Sequence, residues 1–347
     1  MKIRIFVGTG GVGKTSVSAA SALLEASKGG RCLVLTIDPA QRLKTALNLE
    51  EGATEQRVDL GAGLELWAGM LDVRATLDRA VELYGEPEQA RTVLAHPVYR
   101  ILVQSLSGMQ ELMAIERIDQ AIKQGFDQIF VDTAPSRHAF EFLDKPEFFA
   151  ELVSFPAVRL VGRTYKWWES SALSRLGKKS FELYSKVEQI LGTTLVRQVL
   201  DFYAVFRTIA EGYADRARRT SELLRDPERT QFTVVTTPAK ASRDAEYFQR
   251  ELTRRKYPVT TLIVNRVWPR FDRCDADPAD ALAPLVGWYR NVSLAQQEAF
   301  RGIKSSYTSS FRDVIGLPEL PRDVDGVPAL RQIADNLGSA LQANRAE

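Results

Sequence analysis

Residues 8–15 read GTGGVGKT and satisfy the pattern G-x-x-x-x-G-K-[ST] position by position. The run before it, IRIFV (3–7), is short, apolar and β-branched, as a strand buried on both faces of a parallel sheet must be. The run after it, SVSAASALLEASKGG, has the alanine and leucine spacing of a helix, with Gly29 and Gly30 as its stop. Strand, glycine loop and helix in that order make a phosphate cradle. The consecutive backbone N–H groups of Gly10 to Lys14 turn inward only where no Cβ obstructs them, and the helix N-terminus adds the positive end of its dipole. Such a nest holds triphosphate charge, with Lys14 reaching the β- and γ-phosphates and the Thr15 hydroxyl ligating Mg²⁺. Gly8, Gly10, Gly11, Val12, Gly13, Lys14, Thr15 and Ser16 are therefore the candidate nucleotide-binding residues.

Working outward, LVLTI (33–37) completes a βαβ unit, and similar runs recur at 64–71, 128–132, 232–237 and 260–265. The last two flank a helix-patterned stretch, AEYFQRELTRRK. An α/β fold follows, a mostly parallel sheet flanked by helices. Residues 72–125 and 141–227 break this rhythm, reading as long helical segments with few glycines. The expected organisation is a core of 1–71, 126–140 and 228–347 carrying a helical insertion subdomain made of 72–125 and 141–227. The second helical segment has a local basic excess around Trp167 and Trp168, suited either to a solvated helix face or to a membrane or partner surface.

Two carboxylates belong with the cradle. Asp38 ends the strand LVLTI in TIDPAQRL, held by Pro39, where open α/β sheets bind their ligands; it is placed to orient water near the γ-phosphate. Asp132 ends the strand QIFVD, where P-loop nucleotide hydrolases keep a carboxylate for the Mg²⁺ shell. The candidate metal set is Thr15, Asp38 and Asp132, partly through water.

The 347 residues carry 46 basic and 44 acidic side chains, so net charge makes no case for nucleic-acid binding. Cys32 and Cys274 stand far apart with no C-x-x-C pair, which removes a disulfide framework and suits a reducing cytoplasm. The N-terminal apolar run is too short for a signal peptide, and no stretch approaches the ~18 apolar residues of a membrane span. His96 and His138, the only histidines, are too few for a histidine metal site and are assigned structural roles.

The chain resembles the ArsA-like, or anion-transporting, ATPases, which include the arsenite-pump ATPase and the ATPase that targets tail-anchored proteins, and within them a bacterial branch. The motifs that carry the resemblance are GTGGVGKT (8–15), TIDPAQRL (36–43), SGMQELMAIER (107–117), VDTAPSRHAFEFLDKPE (131–147), VVTTP (234–238), LIVNRVWP (262–269) and LPRDVDGVPALRQIA (320–334). The resemblance implies a deviant Walker A loop of the SIMIBI type, with ATP and Mg²⁺ as cofactors. It implies that Asp38 lies in the first switch, that Asp132 begins the second, and that Asn265 contacts adenine; without the family, Asn265 reads equally well as a cap on its loop. It further implies two nucleotide sites meeting across an interface. With one phosphate loop here, the partner is a second copy or a paralogue, alongside a protein client or a membrane partner. The expected location is cytoplasmic, with peripheral membrane contact.

The sequence departs from that family at Thr9, where the deviant loop usually has a lysine that reaches the partner's nucleotide. Arg42 and Arg137, in the two switches, are candidate replacements as an arginine finger, against the plainer reading of surface arginines paired with carboxylates. Two absences weigh on function: no cysteine cluster for arsenite, and few methionines (Met70, Met109 and Met113 inside the chain) for a tail-anchor groove. The rival readings are a nucleotide-gated scaffold that hydrolyses little, and a partitioning ATPase of the MinD or ParA kind. The latter would use an amphipathic C-terminal helix such as ALRQIADNLGSALQAN on a membrane.

Overall fold

The computed structural model describes residues 1–38, 42–47, 49–50, 54–61, 64–104, 110–134, 193–269 and 282–346. The strands are β1 (Lys2–Val7), β2 (Cys32–Thr36), β3 (Glu55–Val58), β4 (Leu66–Met70), β5 (Gln128–Asp132), β6 (Thr230–Thr236), β7 (Val259–Val267) and β8 (Asp313–Pro318). They form one sheet in the order β3-β4-β2-β5-β1-β6-β7-β8, parallel throughout except for β3, which runs antiparallel to β4.

The uninterrupted apolar strands are explained by burial on both faces. Phe6, Val34, Phe130, Val235, Ile263 and Ile315 pack into one cluster with α1 (Lys14–Ala26) and the C-terminal helix. Strand alternation sends Ile5, Leu33, Leu35, Val131 and Val234 to the opposite face, and these too have 0% exposure. The two edge strands read less clearly. Glu55–Val58 is a four-residue polar edge, and Asp313–Pro318 contains Gly316 and ends in proline, as edge strands tolerate. Neither β3 nor β8 is among the strand-like runs of the sequence.

The described helices after α1 are α2 (Arg42–Leu47), α3 (Val73–Tyr84), α4 (Pro87–Ala95), α5 (Pro97–Gln104), α6 (Gln110–Lys123), α7 (Thr193–Arg225), α8 (Ala241–Arg254), α9 (Ala283–Tyr307) and α10 (Gly326–Ala346). The α8 helix packs on β6 and β7, and α9 on β7 and β8. The amphipathic face of α10 is spent inside the protein: Leu330, Ile333, Ala334 and Leu337 are buried, and the helix lies against α1 and β8.

By contact the chain divides into two units, Met1–Leu71, Ala121–Ala139 and Leu223–Glu347 in the first, Asp72–Gln120 and Phe140–Glu222 in the second. The described part of the second unit is helical. Asp72 caps α3 by accepting the Ala75 N–H at 2.9 Å. Inside it Tyr84 donates to the buried Glu116 carboxylate at 2.9 Å, Gln120 donates to the same oxygen at 3.2 Å, and Arg216 stands 4.0 Å away. Among the described residues no helix is long and apolar enough to cross a membrane.

Candidate nucleotide site

β1 runs down the middle of the sheet between β5 and β6, so the loop that follows it leaves beside the ends of both. That loop is shaped by its glycines. Gly13 has φ 87°, and a Cβ there would run into the Asn265 amide; a Cβ on Gly8 would run into the Val235 carbonyl. The Gly13 carbonyl accepts the Val17 N–H at 3.0 Å and so begins α1. Lys14 is buried and donates from Nζ to the Thr9 carbonyl at 3.1 Å.

Beneath the loop lies a cluster of acid and hydroxyl groups. Asp132 has 0% exposure; its Oδ2 accepts the Thr15 hydroxyl at 2.7 Å and the Thr36 hydroxyl at 3.1 Å. Its Oδ1 is buried with no hydrogen-bond partner. Burial pushes the Asp132 carboxyl up to about 6, further raised by the Asp38 charge, while Thr15, Lys14 and Thr36 pull it back. Asp38 is buried too, and its backbone N–H donates to the Thr36 hydroxyl at 3.2 Å. An orphaned carboxylate oxygen, a second carboxylate near enough to feel its charge, and a hydroxyl fit a divalent cation. Among the described residues no three or more His, Cys, Asp or Glu side chains gather as a metal cage. Two carboxylates and a hydroxyl are a donor set that would suit Mg²⁺, which takes one or two carboxylates and completes its shell with phosphate and water.

Three residues near the loop escape a reading of the sequence. Thr36 is visible only as a strand residue, yet its hydroxyl donates to the Asp132 carboxylate and accepts the Asp38 backbone N–H. Asp244 lies on α8 and its buried carboxylate accepts the Thr9 hydroxyl at 2.7 Å and the Thr236 hydroxyl at 3.3 Å. Lys240, which caps α8, donates from Nζ to the Gly10 carbonyl at 3.0 Å. The one sequence signal was an acid in the first turn of a helix, which ordinarily means a dipole effect alone.

Of the expected site residues, Gly8, Gly10, Gly11, Val12, Gly13, Lys14, Thr15, Asp38 and Asp132 are brought together at this end of the sheet, with Ser16 next in α1. Asn265 reaches the same loop: its Nδ2 donates to the Val12 carbonyl at 2.9 Å. Arg42 opens α2 but its side chain lies outside the described residues, as do Arg137, His138, Trp167, Trp168, Cys274 and Met109. His96 is structural, its Nδ1 accepting the Val98 N–H at 3.2 Å while its ring meets Phe202. Cys32 is a buried free thiol whose pKa burial pushes up to about 12, so it holds its proton and is a poor nucleophile or ligand.

A mostly parallel sheet with a glycine loop entering its first helix, over a buried aspartate and hydroxyl, defines a P-loop nucleotide-binding protein. The chain belongs to one family within that class. The family of anion-transporting ATPases matches residues 1–339. The chain is similar to a putative arsenical pump-driving ATPase of Prosthecochloris vibrioformis, 32% identical over 151 residues, which is 42% of this chain and 36% of that protein. It is also similar to ATPase ASNA1 homolog 1 of Paramecium tetraurelia, 23% identical across 96% of this chain and 91% of that one. ATPase get3 of Schizosaccharomyces japonicus is 25% identical with the same two coverages, 96% and 91%. The chain thus spans about a third of the length of the arsenical pump relative and most of the other two.

Proposed function

We propose that the protein is a Mg²⁺-dependent ATP hydrolase whose nucleotide cycle switches a dimer and the helical unit, so that a client or partner is held in one nucleotide state. The observation that carries this reading is the Thr15–Asp132 pair with its orphaned carboxylate oxygen under the Lys14 loop. Bound Mg²⁺ would neutralise triphosphate charge at that oxygen. Thr15 and Asp132 would hold the cation, Lys14 would bind phosphate oxygens in place of the Thr9 carbonyl, and Asp38 would orient water. The residues to test are Lys14, Thr15, Asp38 and Asp132. Lys14→Ala is expected to abolish Mg²⁺·ATP binding in a calorimetric titration and turnover in a phosphate-release assay; normal hydrolysis in that variant sinks the reading.

The relatives named for arsenical pumps and for ASNA1 and get3 make an oxyanion or a protein client the two chemistries to try first. Dimerisation, with a second copy or a paralogue, is part of the proposal, as is a cytoplasmic location with peripheral membrane contact. Arg42 and Arg137 remain candidates for a finger; if Arg42→Ala and Arg137→Ala each leave turnover intact, that role falls.

A second reading is favoured by one observation. The Thr9 hydroxyl is tied to Asp244, so the residue at that loop position offers no charge to a nucleotide. In this reading the protein is a nucleotide-gated scaffold with little hydrolysis, and steady-state phosphate release with and without a partner separates the two.

A further inference from the structure

Two ammonium groups rest on consecutive carbonyls of the phosphate loop. Lys14 Nζ donates to the Thr9 carbonyl at 3.1 Å, and Lys240 Nζ donates to the Gly10 carbonyl at 3.0 Å. The first comes from the loop itself, the second from the N-cap of α8, 230 residues later in the chain.

The parallel pairing of β1 with β6 explains how they meet. Val7 is in register with Val234, so the loop after β1 and the turn from β6 into α8 leave the sheet side by side at its C-terminal edge. The Lys240 backbone N–H is tied to the Thr237 carbonyl at 2.9 Å, which anchors the side chain at its root.

The charge around Lys240 is unbalanced. Asp244 follows it by four residues, the spacing at which helical ion pairs form. Yet the Asp244 carboxylate turns to Thr9, Thr236 and Arg243, the last at 3.8 Å. Among the described residues no carboxylate pairs with Lys240. Its side-chain partner is the Gly10 carbonyl, a neutral acceptor, so its positive charge stays unneutralised beside a loop built for anions.

We propose that Lys240 is a second phosphate-binding cation, which exchanges the Gly10 carbonyl for oxygens of the terminal phosphate when a nucleoside triphosphate binds. This rests on the nucleotide site proposed above. The terminal phosphate is the target because Lys240 sits at the Thr9–Gly10 end of the loop, whereas the α and β phosphates belong to the end that opens α1. Asp244 has the complementary task. By holding Thr9 from the same helix face, it keeps the N-terminal turn of α8 against the loop, so the cation comes from this subunit even though position 9 is threonine. Lys240 is thus a ligand-binding residue, and Asp244 a positioning residue that acts through it.

The test is equilibrium binding of Mg²⁺·AMP-PNP and of Mg²⁺·ADP to the full chain, measured by calorimetry on wild type, Lys240→Gln, Lys240→Arg and Lys14→Ala. Lys240→Gln is expected to weaken AMP-PNP by about ten- to hundredfold and ADP by less than about threefold, the range of a charge-assisted hydrogen bond present for one ligand only. Lys240→Arg keeps the charge and is expected to stay within about fivefold of wild type for both. Unchanged AMP-PNP affinity in Lys240→Gln overturns the proposal. So does an equal loss for both nucleotides, which would make Lys240 a clamp on the loop alone. A far-UV spectrum and a nucleotide-free melting curve confirm that each variant is folded. If wild type binds neither nucleotide, the nucleotide site itself falls; if wild type binds, Lys14→Ala does not, and Lys240→Gln matches wild type, only the role of Lys240 falls.

Discussion

Thr15 and Asp132, 117 residues apart in sequence, meet at 2.7 Å, the hydroxyl donating to one carboxylate oxygen while the other is left buried and unpaired. An acid in that condition is held at a cost. It is fully desolvated, it lies near the Asp38 charge, and it keeps two hydroxyl donors where three or four contacts would be needed. A divalent cation, as proposed for this site, would supply the contacts that the buried oxygen lacks.

Removing that charge should stabilise the metal-free protein. Asp132→Asn retains an acceptor for Thr15 and Thr36, and its expected effect at neutral pH is a gain of ~1–3 kcal/mol in urea unfolding. The same variant should lose Mg²⁺-dependent nucleotide binding. A variant both less stable and fully active would contradict the site.

The pH dependence follows with its sign. The carboxyl of Asp132 has a folded pKa of about 6 against an ordinary 3.8, so between those values the folded state holds a proton that the unfolded state has released. Its contribution is complete below the unfolded value and is lost as pH rises through about 6, a fall of ~3 kcal/mol in the metal-free protein. Other carboxylates titrate as well, so the quantity to measure is the stability of wild type minus that of Asp132→Asn from about pH 4 to about pH 8. Mg²⁺·nucleotide affinity should move the other way, weakening as pH drops below about 6 and the carboxylate takes up its proton.

Gly11 and Gly13 separate backbone strain from collision. Both have positive φ, 78° and 87°, but a Cβ on Gly11 meets nothing within 4 Å, whereas one on Gly13 meets the Asn265 amide. Gly11→Ala should cost ~1–2 kcal/mol, the strain alone. Gly13→Ala should cost ~1–3 kcal/mol more, because Asn265 is driven off the Val12 carbonyl. Paired urea titrations give the difference directly.

For α10 the expectation is structural. Leu330 has 0% exposure, and Leu330→Ala should destabilise by ~2–5 kcal/mol. Since that face is occupied, the wild-type chain should not sediment with anionic vesicles through α10, with or without ATP. ATP-dependent sedimentation that Leu330→Ala abolishes without unfolding the protein would revive a partitioning-type membrane helix.

The phosphate loop was legible because its chemistry is local. Gly8 to Thr15 needs a strand before it, a helix after it and glycines between, and all three requirements leave marks within 25 residues. The doubly buried strands announced themselves as apolar runs for the same reason, while β3 is a short polar edge and β8 breaks its apolar residues with Gly316 and Pro318. Asp38 and Asp132 were legible as strand-end acids, but their separation from Thr36 and Thr15 is set by parallel registers that pair Thr36 with Asp132 and Asp132 with Phe6. What the sequence determined alone was therefore the cradle and the kind of sheet that presents it. What only the tertiary structure decided was the company the cradle keeps: Asn265 on Val12, Asp244 on Thr9, Lys240 on Gly10. Those contacts join residues more than 200 positions apart, and the hydrogen bonds that select them depend on which strands emerge side by side, a property no local pattern of residues encodes.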